Sequence, residues 1–324
     1  MKIKKASPGL DQRNRLGQML GEGFVVEDYD ATRPLSAQVA DADVLLVRDV
    51  PITREVIDAA PKLRLIQRPG DHLPKIDLAH AAAKGIAVSR FPSKVQGSPA
   101  RAVAEHAFHL MLTLAKQQWL ARAGVKARKI GLPKTYLLQG KTLGLVGLGN
   151  TGEALAKLTV PFGIRTIAVK RSADDALARD LGLDWLGTME RMPELLAQSD
   201  FVSLHLPQNA ETVDFFAARE LAMMKRGAFL INISRAPMLN KQALLDALQS
   251  GHLGGAGVDV WWKEPADPDD PLLALPQMIM TPHIAGDTIE VETRLAELTA
   301  ENVRRIARGD TPQYVVGIDV DAGT

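Results

Sequence analysis

The sequence predicts an α/β protein made of two doubly wound parallel-sheet domains, and three observations predict it. The chain has 324 residues, which is about two domains at ~150 residues each. Short, nearly continuous apolar runs alternate with stretches of helical spacing, the pattern of parallel strands covered on both faces. The alternation comes in two series, separated by a long helical stretch near residues 100–129. Hydrophobic residues make up 46% and charged residues 24%, which suits a globular chain and excludes disorder and fibrous repeats.

Several function classes are excluded by composition. Lys and Arg total 39 against 38 Asp and Glu, a net charge of +1, so no electrostatic footprint for nucleic acid or an anionic membrane exists. With no cysteine, disulfides, thiolate nucleophiles, Fe–S clusters and Cys–zinc sites are all removed. Met1-Lys2-Ile3-Lys4-Lys5 is basic, but no apolar core of a signal peptide follows. No uncharged apolar run reaches the ~18 residues that a membrane span needs. The expectation is a cytoplasmic protein with a large core.

In the first series, Val44–Val47, Leu63–Ile66 and Gly85–Val88 read as buried strands, with helices near 53–60 and 76–84. A helix starting after Ser98-Pro99 carries Val103, Ala107, Leu110, Met111 and Leu114 at helical spacing. In the second series the strands are Leu143–Val146, Thr166–Val169, Phe201–Leu204, Ala228–Ile231 and Ala256–Val260. Helices fall near 153–160 and 241–249, and a last one near 290–308 stops at Gly309.

Gly147-Leu148-Gly149-Asn150-Thr151-Gly152 follows a strand and opens a helix, the context in which G-x-G-x-x-G binds a dinucleotide. The first glycine makes the turn and the second lets backbone approach a pyrophosphate. The third packs helix on strand, aiming free N–H groups at the phosphates. About 20 residues on, an NAD site usually shows Asp or Glu for the ribose hydroxyls. Here the next strand ends in Lys170-Arg171-Ser172, with no carboxylate before Asp174. Two cations and a hydroxyl attract a 2′-phosphate, so NADP(H) is the expected coenzyme, with NAD(H) as the lesser one.

Of seven histidines, His80 and His252 lie in polar surroundings that suggest solvation. His106 and His109 sit among Ala107, Phe108 and Leu110, which favours packing or capping over a metal pair, and no metal site is expected. His205 and His283 stand at strand ends, where open α/β sheets bind ligands. Arg235 and Glu264 follow neighbouring strands. A guanidinium can grip a carboxylate bidentately and polarise an adjacent carbonyl. An imidazole beside a carboxylate can give its proton to a developing alkoxide.

Four stretches in order resemble the D-isomer-specific 2-hydroxyacid dehydrogenases from roughly residue 40 to 290: Lys141–Gly152, Leu230–Arg235, Gly257–Val260 with Glu264-Pro265, and Thr281–Gly286. The resemblance implies that Arg235 grips the 2-oxo acid, that His283 is the proton donor and that Glu264 pairs with it. It implies Asp259 at the nicotinamide carboxamide, with Ile233 and Ser234 along the ring and Gly286 closing the last motif. Asn150 and Thr151 would lie over the pyrophosphate; Pro207 and Thr212, with His205 nearby, fall on the adenosine side. The implied fold is two Rossmann-like domains with the active site in the cleft between them. Residues 1–100 plus 287–324 would bind substrate and 101–286 the dinucleotide, the helix near 100–129 making a homodimer.

One stretch departs from the family. Where it shows a Gly-x-Gly turn and then Asp-Asn, this chain has Gly70-Asp71-His72-Leu73-Pro74. Gly70 and Asp71 are still the expected substrate-binding positions, and Asp71 leaves the preferred substrate open. The expected activity is reduction of a small 2-oxo acid, glyoxylate or hydroxypyruvate among them, to a D-2-hydroxy acid. Two alternatives stand: a relative acting on another small oxyanion such as phosphite, and a nucleotide-sensing corepressor-like binding protein.

Overall fold

The computed structural model describes residues 1–7, 15–48, 50–68, 75–91 and 99–317. Its contacts divide the chain into two units, Met1–Pro99 with Asp287–Thr324, and Ala100–Gly286.

The first unit holds strands β1 (Lys2–Lys5), β2 (Val25–Asp28), β3 (Val44–Leu46), β4 (Leu65–Arg68) and β5 (Ala87–Arg90). All are parallel, in the order β2-β1-β3-β4-β5. Alternate residues serve opposite cores: Leu45 and Val47 pack with Ile57 and Ile66, Val44 and Leu46 with Ile3, Val303 and Ile306. Val303 and Ile306 belong to the helix Ile289–Arg308, which Thr288 caps and which has acids in its first turn and arginines in its last. Its Asn302, fully buried, donates to Gln67 Oε1 at 2.8 Å and Ser89 Oγ at 3.1 Å. The last long helix therefore completes the unit that the first strands began.

The second unit holds β6 (Thr142–Val146), β7 (Arg165–Lys170), β8 (Trp185–Thr188), β9 (Phe201–Leu204), β10 (Phe229–Asn232), β11 (Gly255–Val258) and β12 (Met278–Met280). The order is β12-β11-β10-β9-β6-β7-β8, every neighbour parallel. Leu143, Leu145, Phe201, Phe229 and Ile231 face one core; Val146, Val202, Leu204 and Leu230 face the other. Burial on both faces is why these strands read as unbroken apolar runs. The chain runs outward from β6 in one direction and then returns to run in the other, so the order reverses between β6 and β9. Ligands of such sheets bind outside the carboxyl ends at that reversal. Val146, Leu204, Asn232, Val258 and Met280 are in register, so the segments after all five strands open on one edge.

The helical stretch expected near 100–129 is two helices, Pro99–Ala115 and Gln118–Lys126. Gln117 breaks it at φ 46°, where the returning chain engages it: Tyr136 N–H donates to Ala115 O at 2.9 Å and Lys116 Nζ to Tyr136 O at 2.8 Å. Strands β1, β2 and β8 go beyond the sequence reading. In β1 and β2 the alternation is masked by charge, the ammonium groups of Lys2 and Lys4 in β1 pairing with Glu27 in β2 at 3.0 and 3.3 Å. Among the described residues, no helix is long and apolar enough to cross a membrane.

Candidate active site

The glycine loop is built at the reversal point. Gly147 has φ +90°, and a Cβ there would lie 2.8 Å from the backbone carbon and oxygen of His205, so the position excludes other side chains. Gly152 approaches Gly147 O and the His205 ring, at 3.1 and 3.5 Å from an ideal Cβ, whereas a Cβ on Gly149 meets nothing within 4 Å. The helix Asn150–Thr159 starts there with Gly149 as N-cap and no side-chain cap bond. The N–H groups of its first turn, at Asn150, Thr151 and Gly152, have no intrahelical acceptor, as at any helix start, and the helix dipole stands behind them. This cradle fits the pyrophosphate of a dinucleotide.

His205 lies beneath the loop rather than in the chemistry. Its Nε2 pairs with Ser203 Oγ at 2.9 Å, its buried Nδ1 has no partner among the described residues, and burial pushes its pKa down to about 4. It is a neutral packing group. The loop after it is closed on itself: Thr212 Oγ1 donates to Pro207 O at 2.9 Å and accepts from Asn209 N–H at 2.8 Å. At the end of β7, Lys170 is half-buried while Arg171 and Ser172 are exposed. Asp174, the first carboxylate beyond them, caps the next helix through Ala176 and Leu177 N–H at 2.9 and 3.1 Å.

Three adjacent strands carry the remaining chemistry. Arg235 follows β10, Glu264 follows β11 and His283 follows β12. His283 Nδ1 lies 2.9 Å from both Glu264 carboxylate oxygens, which directs Nε2 away from that pair. His283 has φ 58°, a conformation uncommon outside glycine, although histidine is among the residues that adopt it more readily. Arg235 is half-buried on the same edge. Its loop is stapled by Asn232, which donates to Arg235 O at 3.1 Å and accepts from Ser234 N–H at 3.1 Å. Ser234 Oγ donates to Leu204 O at 2.6 Å, and Ile233 is buried in the core.

Asp259, 1% exposed, accepts from Thr281 Oγ1 at 2.6 Å, Ile284 N–H at 2.9 Å and Ala285 N–H at 2.7 Å. Those donors flank His283, and Gly286 follows them. Trp261 joins the same edge, its Nε1–H donating to Thr281 O at 3.0 Å and its N–H to Glu264 Oε1 at 3.2 Å. Trp261 and Thr281 escaped the sequence reading because their side chains bond across the chain, to Thr281 O and to Asp259, and Asn232 because its bonds only staple its own loop. His80 and His252, expected to be solvated, are both paired: His80 Nε2 meets Asp58 at 2.8 Å, and His252 Nε2 meets Leu221 O at 2.9 Å. Gly70 and Asp71 lie outside the described residues. Among those described, no three His, Asp or Glu side chains could hold a metal ion.

Comparison with known proteins bears on the whole of this edge. Residues 108–285, more than half of the chain, match the family described as D-isomer specific 2-hydroxyacid dehydrogenase, NAD binding domain. A glyoxylate reductase of Korarchaeum cryptofilum is 36% identical over 286 residues, 86% of this chain and 83% of that protein. A D-3-phosphoglycerate dehydrogenase of Mycobacterium leprae is 36% identical over 298 residues, but the chain spans only 54% of its length. Among solved structures, the TT0316 protein of Thermus thermophilus superposes with a TM-score of 0.82 at 31% identity, covering 98% of this chain and 100% of that one. A dinucleotide cradle at the reversal point and matches of this extent lead to one conclusion: the chain belongs to the D-isomer-specific 2-hydroxyacid dehydrogenase family and is an NAD-dependent oxidoreductase.

Proposed function

We propose that the protein reduces a small 2-oxo acid to the D-2-hydroxy acid, with NADP(H) preferred over NAD(H). The observation that carries this reading is the His283–Glu264 contact, 2.9 Å to each carboxylate oxygen, on the sheet edge that also bears Arg235. Glu264 orients the imidazole through Nδ1 and leaves Nε2 to donate a proton to the carbonyl oxygen. The Arg235 guanidinium binds the substrate carboxylate and polarises the adjacent carbonyl. Of about four lone-pair positions on the Asp259 carboxylate, three accept from Thr281, Ile284 and Ala285, which leaves one for the carboxamide. When bound, the reduced nicotinamide supplies the hydride. Residues 101–286 bind the dinucleotide, and residues 1–100 with 287–324, Gly70 and Asp71 included, bind the substrate.

Coenzyme preference rests on Lys170, Arg171 and Ser172, together with the commitment of Asp174 to a helix cap. Cations without an opposing carboxylate favour a 2′-phosphate. The glyoxylate reductase among the relatives suggests glyoxylate as the first substrate to try. The test is a panel of glyoxylate, hydroxypyruvate and pyruvate, followed by loss of NADPH or NADH absorbance. The expected result is turnover with a higher kcat/KM for NADPH. A preference for NADH would remove the NADP(H) assignment, and no turnover of any 2-oxo acid would remove the substrate class.

A further inference from the structure

The helix Pro99–Ala115 lies against β11 in a fixed register, set by two glycines. An ideal Cβ on Gly255 would stand 2.9 Å from Leu114 Cδ2, and one on Gly257 would stand 3.0 Å from Leu110 Cβ. Bare backbone at both positions lets the helix close on the strand. Four helical residues rise about 6 Å and two strand residues about 6.6 Å, so each step of four along the helix matches a step of two back along the strand. The next rung after Leu114 with Gly255 and Leu110 with Gly257 is His106 with Asp259. His106 Nε2 is indeed 3.7 Å from Asp259 Oδ1 and 2.9 Å from Thr281 Oγ1.

The proton on each atom of this chain can be deduced. A carboxylate that takes two backbone N–H groups acts as an acceptor, so the 2.6 Å contact between Thr281 Oγ1 and Asp259 Oδ1 uses the hydroxyl proton of Thr281. Thr281 Oγ1 then has only lone pairs for His106, and His106 Nε2 must be the donor. Burial pushes the His106 pKa down, and the nearby His109 pushes the same way against the pull of Asp259. A neutral imidazole has one N–H, and the geometry puts it on Nε2. The chain is directed: His106 Nε2–H to Thr281 Oγ1–H to Asp259, whose remaining bonds hold Ile284 and Ala285.

We propose that His106 is a positioning residue for the reaction: it fixes the His283 loop on both sides, at Thr281 directly and at Ile284–Ala285 through Asp259. This rests on the assignment of His283 as proton donor. It also explains how a residue with positive φ is kept in one conformation, since the segments before and after it are tied to the same carboxylate.

The test uses His106→Leu, which keeps bulk but has no donor, and His106→Gln, whose amide nitrogen can take the place of Nε2. Two readouts are needed. In the protein without coenzyme, hydrogen exchange of the peptide carrying Ile284 and Ala285 should rise about tenfold in His106→Leu and stay near wild type in His106→Gln. With glyoxylate and NADPH, His106→Leu should lower kcat by about 10- to 100-fold, the scale of a mispositioned catalytic group, with coenzyme KM little changed. His106→Gln should restore most of the loss. Equal exchange and equal turnover in the two variants would overturn the proposal, because packing alone would then explain the position. If His106→Leu does not fold, Thr281→Val against Thr281→Ser makes the same comparison one link along. Should the wild-type enzyme reduce none of the 2-oxo acids, the proposed function falls, while the exchange measurement still decides whether the chain holds the loop.

Discussion

At the scale of single residues, the His283 backbone is held where side chains are disfavoured by about 1–3 kcal/mol, and the Asp259 bonds to Ile284 and Ala285 offset that cost. A strained backbone supported on both sides belongs to a group whose direction matters. His283→Ala should therefore lower kcat by about 10²–10⁴-fold, the usual reach of general acid catalysis, with little change in coenzyme KM. Steady-state kinetics at saturating coenzyme checks this, and turnover at the wild-type rate would end the assignment of His283. The sequence made His283, Glu264 and Arg235 legible because each closes a short apolar run, and strand ends are where such sheets bind ligands. His106 was not legible in the same way, since its partner Thr281 is 175 positions distant. Spacing on one helix suggested only packing or capping, and no local pattern announces a bond of that range.

Elements behave differently, because the glycine loop is local and its strand, turn and helix follow one another in the chain. Two of its glycines separate folding from binding. Gly147→Ala puts a Cβ 2.8 Å from backbone atoms of His205 at φ +90°, so it should lower stability by about 1–3 kcal/mol. Gly149→Ala meets no protein atom within 4 Å and should leave the melting temperature almost unchanged while raising coenzyme KM, because the added methyl group enters the pyrophosphate space. Thermal melts and coenzyme titrations of the two variants check this; a Gly149→Ala enzyme with wild-type coenzyme KM would contradict the cradle. Some elements escaped the sequence reading. β8 is a short run on an outer position of its sheet, and the helix break at Gln117 depends on Tyr136 taking the Ala115 carbonyl, a contact between remote segments.

For the whole molecule, the two series of apolar runs made a pair of parallel sheets legible, since strands covered on both faces cannot alternate with polar residues. The segment after the helix break carries Val125, Ile130 and Leu137 at 78%, 99% and 65% exposure. The family resemblance implies a homodimer made through this part of the chain, and these three bare apolar side chains are the place to test it. Light scattering should give about twice the 35.1 kDa chain mass, falling to a single chain in an Ile130→Asp, Leu137→Asp double variant; a wild-type mass of one chain would remove the dimer. The last long helix has a different consequence. Val303 and Ile306 share a core with Ile3, Leu16 and Leu20, so the first strands of this unit keep one apolar face uncovered until the helix Ile289–Arg308 has been made. Residues 100–286 are contiguous and can close while that wait continues. A nascent chain of this design offers chaperones an exposed sheet until residues 289–308 have been synthesised.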